Sequence, residues 1–154
     1  MVTTKAKPQK KQAPPVQVIA KQSAPPSTQA ADQLLAAVRI RGDIGVRKPI
    51  QDTMFMMRLY HKNFCIIMQD TAVNRGMLAK AKDFITYGEV SADTLQLLAQ
   101  KRKKESCSSA AFKVFRLNSP RKGYGRKGVK KTFVVGGALG YRKEHINDLL
   151  KRMM

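Results

Sequence analysis

The sequence predicts an α+β fold: a small three-stranded sheet with helices on one face, followed by a helical and strongly basic extension. Two observations carry that prediction. Three short stretches of strand character alternate with stretches whose apolar residues recur at helical spacing. Charge is also unevenly spread. Residues 101 to 154 hold sixteen Lys and Arg against three acids, a net +13 of the chain's +20.

The elements follow in order. Five of the seven prolines fall in the first 26 residues, mixed with Lys, Gln, Ala and Ser. Residues 1–33 are therefore expected to be a disordered Pro- and Lys-rich basic arm. It is either a solvated tail or an arm that orders along phosphates. The folded part begins near Leu34. Ala37-Val38-Arg39-Ile40-Arg41 alternates apolar and basic residues, the period of a half-buried strand, until Gly42 and Gly45 break it. Pro49 marks the start of a helix reaching about Tyr60, since its missing N–H costs nothing in a first turn. Ile50, Met54 and Met57 share one face of it. Phe64-Cys65-Ile66-Ile67-Met68 is a continuous apolar run and suits a central strand covered on one face or both.

Asp70 or Thr71 caps a second helix, in which Val73, Met77, Ala81 and Phe84 are spaced to pack on the sheet. Ile85 to Val90 reads as a third strand. Ser91 can cap a third helix, with Asp93 near its positive end and Leu95 and Leu98 as its apolar stripe. Ala111 to Leu117 suits a further strand. Ser119 to Lys131 has three glycines, six basic residues and no acid, which predicts an extended loop. A glycine turn, Gly136-Gly137-Ala138-Leu139-Gly140, leads to a final helix that buries Ile146, Leu149, Leu150 and Met153. The expected divisions are an arm at 1–33, a core at 34–90 and an extension at 91–154.

Several functions find no support in these residues. No apolar run approaches the ~18 residues of a membrane span, and the N-terminus does not read as a secretory signal. Cys65 and Cys107 lack metal-site spacing. Cys65 reads as a buried free thiol, in keeping with a reducing, cytoplasmic setting. His61 and His145 stand far apart, no Ser-His-acid motif is present, and the acids are scattered. We expect no enzyme, no metal, no cofactor and no small-molecule substrate. The glycine turn matches neither phosphate-loop pattern. It is either a turn needing positive φ or a set of backbone N–H groups meeting a phosphate beside Arg142 and Lys143.

The basic loop points to nucleic acid. Arg121, Lys122, Arg126, Lys127, Lys130 and Lys131 have no acid among them to offset their charge. Arg forks grip phosphate oxygens, glycines let the backbone approach a phosphate ridge, and Tyr124 can stack on an unpaired base. Lys101-Arg102-Lys103-Lys104 ends a helix, where cations suit the carbonyl dipole of any protein, so both a structural and a binding role stay open. Arg47 and Lys48 precede the first helix and oppose its dipole. Arg75 does the same in the first turn of the second helix, and either a salt bridge to Asp70 or an RNA contact explains it.

Ala37-Val38-Arg39-Ile40-Arg41-Gly42, Asp70-Thr71 with Arg75-Gly76-Met77, and Tyr87-Gly88-Glu89-Val90 resemble the large-subunit ribosomal protein thirty family, whose eukaryotic branch is ribosomal protein L-seven. Phe115-Arg116-Leu117, Pro120-Arg121 and Gly136 to Arg142 resemble the C-terminal signature of its longer archaeal form. The resemblance covers nearly everything after Leu34. It implies a β-α-β-α-β core with an antiparallel sheet, half-ferredoxin-like. It also implies a structural role binding large-subunit rRNA, with 5S rRNA and neighbouring large-subunit proteins as further expected partners. The family pattern adds Arg47, Lys48, Thr71, Arg75 and Gly76 as RNA contacts. Arg41 and Arg116 lie within the matching motifs and complete the candidate set. The alternative reading is a non-ribosomal protein that binds and compacts RNA or DNA.

Overall fold

The computed structural model describes residues 33–102 and 113–154. Residues 1–32 of the expected arm at 1–33, the end of the Lys101–Lys104 run, Cys107 and the start of the Ala111 strand lie outside the described residues. Strands β1 (Leu34–Arg39), β2 (Phe64–Gln69), β3 (Ile85–Glu89), β4 (Lys113–Arg116) and β5 (Gly140–Tyr141) form one sheet in the order β4-β2-β1-β3-β5. Helices α1 (Lys48–Met56), α2 (Ala72–Ala81), α3 (Ala92–Lys101) and α4 (Ile146–Met153) cover it. Among the described residues, no helix is long and apolar enough to cross a membrane.

The three central strands are antiparallel, as the resemblance implied: Ala37 sits opposite Ile66 on one side and Tyr87 on the other. The sheet is wider than the expected three strands. β4 adds antiparallel to β2, and β5 adds parallel to β3, which makes the sheet mixed. Both faces are also covered. Leu35, Ala37, Ile66, Met68 and Ile85 pack with Met54 and Met57 of the α1 region and Leu78 of α2. Ala36, Val38, Cys65 and Ile67 pack on the other face with Leu98 of α3 and Ile146, Leu149, Leu150 and Met153 of α4. The expectation of helices on one face holds for α1 and α2 but not for α3. Successive strand residues point to opposite faces. Strands that are apolar at every position therefore present two apolar faces, and both need cover.

Three local expectations shift for identifiable reasons. Helix α1 ends at Met56 rather than near Tyr60, because Arg58 takes a left-handed conformation (φ 57°). In α2 the buried residues are Leu78 and Ala81, Met77 is partly buried and Val73 lies exposed, while the partly buried Phe84 falls beyond the helix, just before β3. Arg39 is not on a solvent face. It is 2 % exposed, and its guanidinium donates to the Leu59 and Tyr60 carbonyls at 2.7 and 2.6 Å and to Asp43. Thr71, not Asp70, caps α2, its hydroxyl accepting from the Asn74 N–H at 3.2 Å.

Gly88 in β3 lets the extension come close. A Cβ there would sit 2.2 Å from the Lys143 carbonyl oxygen and 3.1 Å from the Ile146 Cβ. The absent side chain thus lets the segment entering α4 lie directly on the strand.

Candidate nucleic-acid interface

The basic loop is not loose chain; it is tied down at several points. Asn118 donates its N–H to the Met153 carbonyl at 3.0 Å, and Arg121 donates to the Arg152 carbonyl at 3.1 Å, so the loop begins on the end of α4. Arg152 returns a guanidinium bond to the Gly123 carbonyl at 3.0 Å. Tyr124 is half-buried, and its hydroxyl donates to Asn63. Lys127 donates its N–H to the Gly136 carbonyl at 3.2 Å. The Lys131 carbonyl accepts from Ala138 and Leu139 at 2.9 and 3.1 Å. Gly137 permits this last approach: a Cβ there would lie 2.2 Å from the Lys131 carbonyl oxygen.

Arg142 joins the pieces. It was expected among the RNA contacts, and the structure places it inside, 3 % exposed. Its Nε donates to the Thr86 hydroxyl at 2.8 Å, and one Nη donates to the Tyr124 and Ala138 carbonyls at 2.8 and 3.0 Å. Its guanidinium lies 4.8 Å from the centre of the Phe133 ring. Burial pulls its pKa down to about 10, and the nearby Arg152 charge adds to this, yet it stays cationic at neutral pH. Its guanidinium bonds are directed inward, so Arg142 ties the loop and the glycine turn to β3. The glycine-turn amides are likewise spent: Gly136, Gly137, Ala138 and Leu139 all donate to protein carbonyls. The turn reading is the one the structure shows, with Gly136 and Gly140 at φ 92° and 84°.

The six loop cations face outward. Arg121, Lys122, Arg126, Lys127, Lys130 and Lys131 are all exposed. Among the described residues, none of their side chains enters an ion pair or hydrogen bond. The fold brings one of them to residues far away in sequence: Lys130 lines a hollow of about 490 Å³ together with Arg41 and Arg47. Arg41 rests 4.9 Å from the centre of the Phe84 ring. Lys48 is exposed and pairs with Asp52 at 3.3 Å. Lys143 is exposed with φ 54°. Arg116 is exposed, its guanidinium 5.3 Å from the Phe64 ring centre.

Thr71, Arg75 and Gly76 form a separate group at the start of α2. Arg75 pairs with Asp70, whose side chain is 1 % exposed while that of Arg75 is 62 % exposed. The hydrogen bond to Asp70 and its charge raise the Arg75 pKa further. The salt-bridge account of Arg75 is thus met, and its side chain as a whole remains largely exposed. Nothing within 4 Å would meet a Cβ at Gly76. The sequence did not single out Asn63 or Arg152, and it gave Arg39 only a place in a strand. Each works by bonding a backbone or side chain twenty or more residues away, and spacing carries no signal of that.

The family model for "Ribosomal protein L30p/L7e" matches residues 35–85. The large ribosomal subunit protein uL30 of Methanococcus maripaludis is 44 % identical over 151 aligned residues, covering 77 % of this chain and 98 % of the relative. The chain belongs to the L30p/L7e family. The uL30 proteins of Nanoarchaeum equitans and Methanopyrus kandleri are 40 % and 38 % identical, covering 77 % and 75 % of this chain and 97 % and 100 % of theirs. The match is to the long archaeal form, and the L30p/L7e family is one of ribosomal proteins, not of enzymes. These relatives lend no support to the compacting alternative.

Proposed function

We propose that the chain is a structural component of the large ribosomal subunit and holds large-subunit rRNA on its cationic loop. Its relatives are large ribosomal subunit proteins, and the likeness runs along nearly their full length. One structural observation carries the mechanism: six exposed cations sit on a loop tied to the body of the protein by hydrogen bonds from Arg142 and Arg152. A fixed cationic surface loses little conformational entropy on binding, and phosphates release counterions when they meet it. Arg41 and Arg47 extend that surface beside Lys130. Lys48, Thr71, Arg75, Gly76, Arg116 and Lys143 form further contacts around it. Tyr124 contributes by holding the loop through Asn63. The protein works without catalysis. 5S rRNA and neighbouring large-subunit proteins are its further partners.

The test is salt dependence. Replacing Arg121, Lys122, Arg126 and Lys127 by Ala should weaken rRNA binding. The slope of log affinity against log salt should fall by about 0.7–0.9 for each phosphate no longer neutralised. An unchanged slope would show that the loop faces away from RNA.

A further inference from the structure

Val134 is 90 % exposed and Val135 52 % exposed. They sit on a 3₁₀ turn, Phe133–Val135, between the cationic loop and the glycine turn. Scattered exposed valines are ordinary, but this turn is held firmly. Phe133 donates its N–H to the Leu139 carbonyl at 2.8 Å, and Gly137 donates to that of Thr132 at 2.9 Å. Val134 lines a groove of about 540 Å³ with Phe133, Leu139 and Tyr141, and with two exposed lysines, Lys82 and Lys143. Among the described residues, no carboxylate lines it.

The rings there are fixed in advance. The Tyr141 hydroxyl donates to Glu89 at 2.6 Å, and its ring lies 5.4 Å from that of Tyr87. Phe133 carries the Arg142 guanidinium on its ring. We propose that this groove takes one unpaired base of the large-subunit rRNA, packed on Val134 and Tyr141, with the flanking phosphates on Lys82 and Lys143. The proposal rests on the ribosomal reading above. An apolar side chain of a neighbouring protein would use the same lining but leave both lysines without a counter-charge. A nucleotide satisfies both: a flat base for the apolar lining and phosphates for the lysines.

The test places the photoreactive residue benzoylphenylalanine at position 134 of the full-length protein, in large subunits isolated from cells that make it. Irradiation should give a crosslink to one rRNA position. The same particles with unsubstituted protein, irradiated at short wavelength, should give a Tyr141–nucleotide adduct by mass spectrometry, a readout independent of the substitution. Val134→Asp should lower rRNA affinity about tenfold with no change in melting temperature, since the side chain it alters is already in solvent. A crosslink to another protein would overturn the groove assignment. So would silence at both positions in particles that contain the protein. Either result leaves the ribosomal reading standing. Absence of the protein from the large-subunit fraction would remove both.

Discussion

Between Leu34 and Glu89 the chain is ordered by apolar layers; between Ser119 and Arg142 it is ordered by polar clasps. In the first region the side chains of β1 and β2 alternate into two apolar cores, each roofed by a pair of helices. In the second, few apolar residues are buried, and Arg142, Asn63 and a set of backbone carbonyls hold the chain in place. The difference suits a cationic surface. An apolar layer needs large side chains turned inward, and a loop so rich in Lys, Arg and Gly has few to give. Hydrogen bonds to backbone carbonyls fix its path while leaving the cations outside.

Substitutions separate the two modes. Ile66→Ala, in the layered region and fully buried, should cost about 3 kcal/mol, seen as a lower denaturant midpoint with the slope unchanged. Arg142→Met should cost somewhat less, about 2 kcal/mol, because it removes a buried charge but leaves the Tyr124 and Ala138 carbonyls and the Thr86 hydroxyl without their donor. Its larger effect should be local, with amide exchange rising across residues 124–139 while β1 and β2 stay protected. If exchange rose evenly over the whole chain, the clasp would be part of one common core and the contrast would fail.

The layered region was legible because its signal is periodic. The unbroken apolar run at Phe64–Met68 and the Ile146, Leu149, Leu150, Met153 spacing lead directly to buried faces. The clasped region was legible only in its charge. Arg39 and Arg142 read as surface cations because periodicity treats charge as exposure. Their acceptors are mostly carbonyls, which every residue carries and no sequence pattern marks. The misplacement of Val73 has a different origin: one helical position turns the face by 100°, so a stripe through Val73 and one through Leu78 differ by little in sequence. Of the candidate site, the six loop cations were visible as an unbalanced charge run, whereas the convergence of Arg41, Arg47 and Lys130 on one hollow depends on the folded chain bringing distant segments together.

A milder change tests how separate the outward cations are from the clasp. Lys127→Ala, exposed and without a side-chain partner among the described residues, should leave stability within about 0.5 kcal/mol of the parent. A cost of about 2 kcal/mol would mean that its stem, which lies against Gly136, is part of what holds the turn.

The smallest effect lies at the seam, where Tyr141 of β5 pairs with Tyr87 of β3 and bonds to Glu89. The hydrogen bond to Glu89, then burial, pushes the Tyr141 hydroxyl up to about 12, against about 10 for an unfolded tyrosine. An acid whose folded pKa is raised favours its neutral form in the native state. The stability this bond gives is therefore complete below about pH 10 and is lost as pH rises toward 12. Glu89→Gln removes the acceptor's charge and should draw the Tyr141 ionisation back toward about 10, read by ultraviolet difference titration. It should also erase the stability loss that belongs to that window. Because Glu89 ends a layered strand and Tyr141 opens the path to the clasp, the titration also reports whether the two regions come apart together. If Tyr141 ionises before the Ile66 core melts, the seam yields first; if the two coincide, the sheet and its cationic edge unfold as one unit.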